Sequence, residues 1–321
     1  MRRLPMFELV KFLQCPYCRG KLKSMDLFIA CTGCERKFTL FRHRPVLIRD
    51  DNELFPPSAY AASEGPPDRM IERRGRLRRL KRLLPSMSVN VAREGMLKRI
   101  VMEHGAEYKV ILVLGCGNQT SQLQRQFTDD KTTFIFCDID KNADIDIFCD
   151  AHDLPFKNEI FDGVISTAVL EHVMYPDKVV SEMHRILKQD GFVYSEIPFL
   201  QSVHEGAYDF TRYTLQGHRR LFEYFKEVDA GMVAGPGTAL LWSIVDFSRA
   251  VMPTLKLSAL AGIMMRIAFF WVKYFDILLK NKPIAIDACS CSYFCGIRSL
   301  ERRTANEISD TYGGNPVNHL Q

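Results

Sequence analysis

The sequence has no long uncharged run. Its longest stretch free of Asp, Glu, Lys and Arg is Ala230–Val245, and Gly235, Pro236 and Gly237 interrupt it. A bilayer-spanning helix needs about 20 consecutive apolar residues, so this stretch is too short and too broken for one. The opening residues, Met1 to Met6, lack the apolar segment of an export signal. A reducing, cytoplasmic setting is therefore expected. Internal repeats and extended low-complexity tracts are also missing. Charge of neither sign dominates: 43 basic residues face 38 acidic ones. A net charge of +5 names no partner by itself.

What the chain does have is length and apolar content. Its 321 residues, 47% of them apolar, suffice for one large domain and a smaller one. Ten cysteines in a reducing compartment are expected to be metal ligands or core residues rather than disulfides. Four of them stand in two pairs, Cys15/Cys18 and Cys31/Cys34, with twelve residues between the pairs. Two C-x-x-C pairs at that distance fit a structural zinc site of four thiolates, with Gly20 and Gly33 easing the turns. A segment of 50 residues buries little core, and a metal would supply the missing stability. With four protein ligands no position stays open for catalysis at this ion.

The stretch around which the chain is organised is Val110–Asn118. Five apolar residues, Val110 to Leu114, read as a strand covered on both faces. Gly115 and Gly117 follow, then a polar, helix-like stretch, Thr120 to Phe127. Missing side chains let a ligand approach the backbone, which suggests a nucleotide-like cofactor. A second buried strand, Thr133 to Asp138, ends in an acid about twenty residues later, the spacing of a ribose-binding carboxylate in a doubly wound sheet. Asp146–Cys149, Phe161–Ser166 and Phe192–Pro198 continue the strands. Pro176 opens a helix expected over Asp177–Lys188, with His184 on its exposed side and Gly191 at its end. Phe225–Val233 and a strand within Ile284–Ile297 complete a seven-stranded α/β sheet as a hairpin, with Cys289, Cys291 and Cys295 packing in it.

Leu114 to Gly117, Asp138, Asp150 and Ala151, Leu154 to Phe156, Phe161 and Asp162, Leu170 to His172 and Arg185 to Gly191 together resemble the class I S-adenosylmethionine (SAM) dependent methyltransferases. The likeness spans roughly residues 108 to 235. It implies a Rossmann-like fold and SAM as cofactor. By the resemblance Gly115, Cys116 and Gly117 pass the methionine part, Asp138 and the adjoining Ile139 hold the ribose side, and Asp150 and Ala151 meet the adenine. Thr167 lies near the sulfonium. Two departures are visible: there is no third glycine, and Val113 stands where an acid often precedes the first glycine by two residues. A nicotinamide-dependent oxidoreductase would prefer a glycine at position 120, which is Thr. The N-terminal stretch from Cys15 to Leu22, with Cys31–Cys34 and Arg44–Ile48, resembles the zinc-ribbon proteins that partner and activate methyltransferases, here fused in cis. Related ribbons begin some rRNA guanine methyltransferases.

The loop after the fifth strand, Phe199 to Thr214, falls where acceptors bind. It resembles a methyltransferase subgroup with a His followed by Asp-aromatic-x-Arg-aromatic-Thr, often encoded beside glycan-assembly enzymes. His204 is the first candidate for a general base and His172 the second, each also readable as a hydrogen-bonded structural histidine. Asp209, Arg212 and Tyr213 are candidates for acceptor contact, though an Asp209–Arg212 pair on one helical turn also reads as a brace for the loop.

The expected organisation is a zinc ribbon over 1–50 and a linker over 51–88. A methyltransferase domain over 89–302 carries an apolar helical insertion at 236–283, and a polar, disordered tail covers 303–321. Between Arg69 and Arg82 stand eight basic residues and one acid, and leucines 77, 80 and 84 fall at helical spacing. This basic amphipathic helix can pack on the domain, meet an anionic membrane or bind RNA phosphate. The insertion reads as two amphipathic helices over the site mouth, a membrane-interface surface or a hydrophobic acceptor pocket; its charges, among them Asp246, Arg249, Arg266, Lys273 and Asp276, argue against a buried span. The expected reaction is methyl transfer to a polar acceptor, a hydroxyl of a saccharide, glycolipid or related small molecule. An RNA base, or a non-catalytic SAM- or partner-binding role, stands as the alternative. The expected location is cytoplasmic, with peripheral contact to the inner face of the membrane.

Overall fold

The computed structural model describes residues 4–61, 84–103, 109–117, 127 and 131–314. The basic stretch at 69–83 and the helix expected over 120–126 lie outside these residues. The N-terminal segment holds a short helix α1 (Met6–Leu9) and a four-stranded antiparallel sheet, β1 (Leu22–Ser24), β2 (Phe28–Cys31), β3 (Lys37–Phe41) and β4 (Arg44–Pro45). After α2 (Ser58–Ala61) and α3 (Arg93–Glu103) comes the main sheet. Its strands are β5 (Lys109–Leu114), β6 (Thr132–Asp138), β7 (Ile147–Phe148), β8 (Phe161–Thr167), β9 (Leu187–Pro198), β10 (Phe225–Ala234) and β11 (Cys291–Arg298). Across the sheet they run β10-β11-β9-β8-β5-β6-β7. The five from β7 to β9 are parallel, and β11 runs antiparallel between β9 and β10. This is the doubly wound, Rossmann-like sheet expected, hairpin included.

The parallel centre is apolar on both faces, as burial from both sides demands. Leu112, Ile135, Val164, Ile165 and Val193 are fully buried. Asp162 aligns two strands from inside: one oxygen accepts the Val110 amide at 2.8 Å, the other the Lys188 ammonium at 2.9 Å. Next comes helix α4 (Pro176–Ile186), which ends two residues before the expected Lys188. Residues 187–191 already belong to β9, where a bulge falls opposite Phe161 and Gly163 and Asp190 takes φ 61°. His184 is not a free surface residue. Its ring is half buried against Tyr224 and Phe225, and Nε2 lies 2.8 Å from the Ser299 carbonyl.

The small N-terminal sheet is not a separate bead. Leu9, Leu13, Ile29 and Leu47 share one core with Leu114 and Phe161 of the main sheet and with Phe156 of the β7–β8 connection. Val46 pairs in parallel with Phe148, and the Leu47 amide donates to the Phe148 carbonyl at 2.9 Å. The ribbon thereby covers the edge of β7, which would otherwise offer unpaired backbone groups.

Helix α5 (Leu215–Leu221) packs His218 into the core between β9 and β11. Between β10 and β11 the insertion forms α6 (Pro236–Ala250), α7 (Leu255–Phe269), a 3₁₀ turn (Phe270–Tyr274), α8 (Phe275–Leu279) and α9 (Pro283–Asp287). The last strand therefore starts only at Cys291. Three charged residues of the insertion turn inward, while Arg249 and Lys256 stay exposed. Arg266 donates to the Pro85 carbonyl, and Lys273 to Ser86 at 2.7 Å. Asp276, fully buried, accepts the amides of Gly235, Gly237 and Thr238 and the Thr238 hydroxyl at the start of α6. These are the donors a helix N-terminus leaves without partners. The apolar side chains consequently face out: Leu255 is 91% exposed, Phe247 72% and Leu278 71%. The continuous stretch Leu255–Leu279 is long and apolar enough, by length and composition, to cross a membrane, and only 11% of its most apolar window is buried. Within that stretch Arg266, Lys273 and Asp276 point inward, whereas Asp246 and Arg249 in α6 pair at the surface. The tail also differs from expectation: Thr304 and Glu307 form a reciprocal capping box that starts α10 (Ala305–Asp310).

His218 has a ring nitrogen 3.1 Å from each of the Ser195 and Ser292 hydroxyls, and burial pushes its pKa down to about 3. Between pH 6.5 and 3 the unfolded chain binds this proton and the folded chain does not. Stability is then complete above the window and falls as pH drops through it, by at most about 1.4 kcal/mol per pH unit. His218→Gln is expected to flatten that slope in urea unfolding at pH 4 and pH 7; equal slopes in the two proteins would refute the assignment.

Candidate active site

The four ribbon thiols lie close together. Cys15 and Cys34 Sγ are 3.6 Å apart, and Cys18 and Cys31 Sγ 3.4 Å. Zinc–sulfur bonds of about 2.3 Å in a tetrahedron put sulfurs about 3.8 Å apart, so the donor set fits zinc. Each knuckle closes the same way: the amides of Cys15 and Cys31 donate to the carbonyls of Gly20 and Arg36, both at 2.9 Å. The left-handed residues are Arg19 and Glu35, each at φ 57°, one place after the second cysteine of each pair. Gly20 instead makes room, since a Cβ there would lie 3.1 Å from the Cys18 sulfur. Against burial, the amides of Cys34 and Gly33 draw the Cys31 thiol down to about 7, toward the thiolate that a metal requires. Zinc held by Cys15, Cys18, Cys31 and Cys34 would serve structure alone.

At the carboxyl end of β5 the chain turns through Gly115 at φ 62° and Gly117 at φ 47°. A Cβ on Gly115 would stand 2.3 Å from a Val169 methyl, so the turn tolerates only glycine. Cys116 is buried beneath it. Asp138 closes β6. Its Oδ2 accepts the Gly117 amide at 2.8 Å, and its Oδ1 accepts Ile139 at 2.7 Å and Asp140 at 2.9 Å. A carboxylate has about four acceptor positions, and three are used by described residues. Burial raises this carboxyl above the usual range, partly offset by those amides.

Residues 112–195 match the family model described as a methyltransferase domain. The chain carries a SAM-dependent methyltransferase domain of the class I fold. No curated protein sequence matches it. Among solved structures, a chain of the Haloferax volcanii complex between the Trm112 methyltransferase activator and a methyltransferase is 18% identical, with a TM-score of 0.41 over 65% of this chain and 90% of that one. A Haemonchus contortus phosphoethanolamine N-methyltransferase 2 bound to SAM is 16% identical, with a TM-score of 0.39 over 64% of this chain and 53% of that one. At these scores the likenesses add nothing to the family match.

Elsewhere in the methyltransferase, Asp150 sits between two neighbours. Oδ1 lies 2.7 Å from His152 Nδ1, and Oδ2 accepts the Asn52 side-chain amide at 2.6 Å. Burial raises the Asp150 carboxyl, but the bonds from His152 and Asn52 outweigh it and the net shift is downward. Asn52 follows the ribbon, and so does Tyr60, which donates to the Ile139 carbonyl at 2.6 Å. The ribbon side thus reaches Asp150 and the backbone of the residue after Asp138. A cavity of about 550 Å³ between the ribbon, the loop after β7 and α4 borders Asp150 and His152 but not Gly115 or Asp138. Ala151 and Thr167 are buried, Thr167 at the end of β8.

The two candidate histidines, 32 residues apart in sequence, meet: His172 Nε2 and His204 Nε2 are 3.0 Å apart. His172 Nδ1 lies 2.8 Å from the Tyr208 carbonyl, a bond only its N–H can make, so its Nε2 offers a lone pair to His204. Burial lowers the His172 pKa, keeping it neutral near pH 7. Asp209 and Arg212 form a bidentate pair, but in an extended loop rather than on a helical turn. Arg212 also donates to the Gln201 carbonyl at 3.0 Å, and Asp209 accepts the His204 amide at 3.0 Å. Arg212 draws the Asp209 carboxyl down to about 2. The pair therefore fixes the loop that carries His204. Tyr213 is half buried against the core behind it.

Sequence reasoning passed over Glu171, which lies beneath the two rings with its carboxylate wholly buried. The only signal was an acid beside a candidate histidine. Burial pushes its pKa up to about 8.

Asp138→Ala is expected to weaken SAM binding at least tenfold in calorimetry without loss of helical or sheet signal. Unchanged affinity would remove the ribose role from Asp138.

Proposed function

We propose that this methyltransferase moves a methyl group from SAM to a hydroxyl of a saccharide or glycolipid at a membrane surface. The observation that carries the reading is the His172–His204 pair, held at the carboxyl end of the sheet where acceptors bind in such folds. SAM, when bound, supplies an electrophilic methyl group. The remaining work is done by the chain. Gly115, Cys116 and Gly117 give the methionine part room, Asp138 and Ile139 take the ribose, Asp150 and Ala151 the adenine edge, and Thr167 stands at the end of β8. His204 Nδ1 takes the acceptor's proton while the Nε2 proton of His204 passes to His172 Nε2, so the pair gains one proton as the acceptor oxygen is methylated. Asp209 and Arg212 hold the loop, and Tyr213 braces it.

The acceptor class rests on the likeness of residues 204–214 to methyltransferases of glycan assembly. The outward apolar face of 236–283 supports a lipid-linked acceptor met at the membrane's cytoplasmic side. In this reading residues 1–50 are a structural module and 89–302 the catalytic one.

Purified protein with radiolabelled-methyl SAM and a cell extract is expected to place label in glycan or lipid fractions; label in RNA would overturn the acceptor class. His172→Ala and His204→Ala are each expected to lower kcat about 10²–10⁴-fold with SAM affinity kept. The wild-type rate is expected to be level above neutral pH and to fall as pH drops through the depressed His172 pKa. Phosphatidylglycerol vesicles are expected to co-sediment the protein, and Trp271→Glu with Leu278→Glu to leave it in solution. Sedimentation of both alike would remove the membrane contact from this face.

A further inference from the structure

Hydrogen bonding does not account for Glu171. It is 0% exposed, and both carboxylate oxygens are buried without a hydrogen-bond partner among the described residues. Buried carboxylates are normally paired or bound to metal. Its Oε1 lies 3.7 Å from His172 Nε2 and 3.9 Å from His204 Nε2, and the two nitrogens are 3.0 Å apart. Three atoms at these separations share a point about 2.1 Å from each, the length of zinc bonds to imidazole and carboxylate.

Both rings are also held from behind. His172 Nδ1 is fixed on the Tyr208 carbonyl at 2.8 Å. His204 Nδ1 points to the Ser202 carbonyl at 3.4 Å and to Asp209 Oδ2 at 3.5 Å. Metal-bound histidines characteristically have such partners on the outer nitrogen.

We propose that Glu171, His172 and His204 form a second metal site, apart from the ribbon, for a divalent ion of the zinc type. Two imidazoles and one carboxylate suit zinc or a neighbouring transition metal, whereas magnesium and calcium favour all-oxygen shells. Three protein ligands leave a fourth position open for a water or hydroxyl oxygen. The ion and the bond between the rings are alternatives for the same nitrogens. When the ion enters, His204 exchanges its Nε2 proton through solvent for one on Nδ1, which faces the Ser202 carbonyl, and both Nε2 lone pairs and the Glu171 carboxylate turn to the metal. The open position would then hold the acceptor oxygen and make its proton more acidic. That last role rests on the acceptor reading above; the ion's binding does not.

The test is the zinc content of full-length protein after saturation with zinc and desalting, measured by plasma mass spectrometry. Two equivalents per chain are expected in the wild type and one in Glu171→Gln and His204→Ala. One equivalent in the wild type, or two in both variants, would overturn the site. Cobalt gives a second readout that needs no variant. The ribbon equivalent should bring thiolate-to-cobalt charge-transfer absorption, and the second only weaker visible bands without it. No spectral change at the second equivalent would also overturn the site. A wrong acceptor class would appear in the labelled fraction and leave the metal count unchanged.

Discussion

The hydrogen bond from the Leu47 amide to the Phe148 carbonyl joins two sheets that neither could complete alone. Strand β7 is two residues long, and its outer edge would otherwise be bare. The ribbon supplies the missing neighbour; it shares the main core, and zinc on its four cysteines would firm so small a segment. From this junction the chain runs on through Asn52 and Tyr60, which reach Asp150 and the Ile139 carbonyl. The surroundings of Asp150 are therefore built partly from the segment that precedes the methyltransferase body.

The opposite end depends on a different constraint. The loop from Phe199 to Thr214 has almost no regular structure of its own, so its shape comes from Arg212, which gathers Asp209, Gln201 and Ser202 around one guanidinium. A planar group with five donors can fix several loop positions at once, which a lysine could not. The shape of that loop brings His204 onto His172.

The sheet was legible because its signals are local. Apolar runs, strand-end glycines and acids at fixed distances give β5, β6, β8 and β9, and the paired cysteines give the ribbon. What stayed hidden depends on partners far apart in sequence. Nothing near Glu171 shows that its carboxylate loses all solvent, because burial there comes from the loop some thirty to forty residues later. His184 reads as exposed on a helical wheel, but β10 and Ser299 cover it. The charges of the insertion show the same limit: composition counts Arg266, Lys273 and Asp276, while only the fold shows that residues 84–90 and the start of α6 take them up. The Asp209–Arg212 pair was legible at three residues' spacing, though its backbone is a loop.

A ribbon carried in the same chain has a consequence for assembly. A separate partner must be present above its dissociation constant, and dilution strips it away. Here the docking of residues 4–50 on β7 is an intramolecular step, governed by an effective concentration that the linker sets rather than by expression level. Every copy of the enzyme thus meets its ribbon in a fixed one-to-one ratio, and no competing methyltransferase can draw it off.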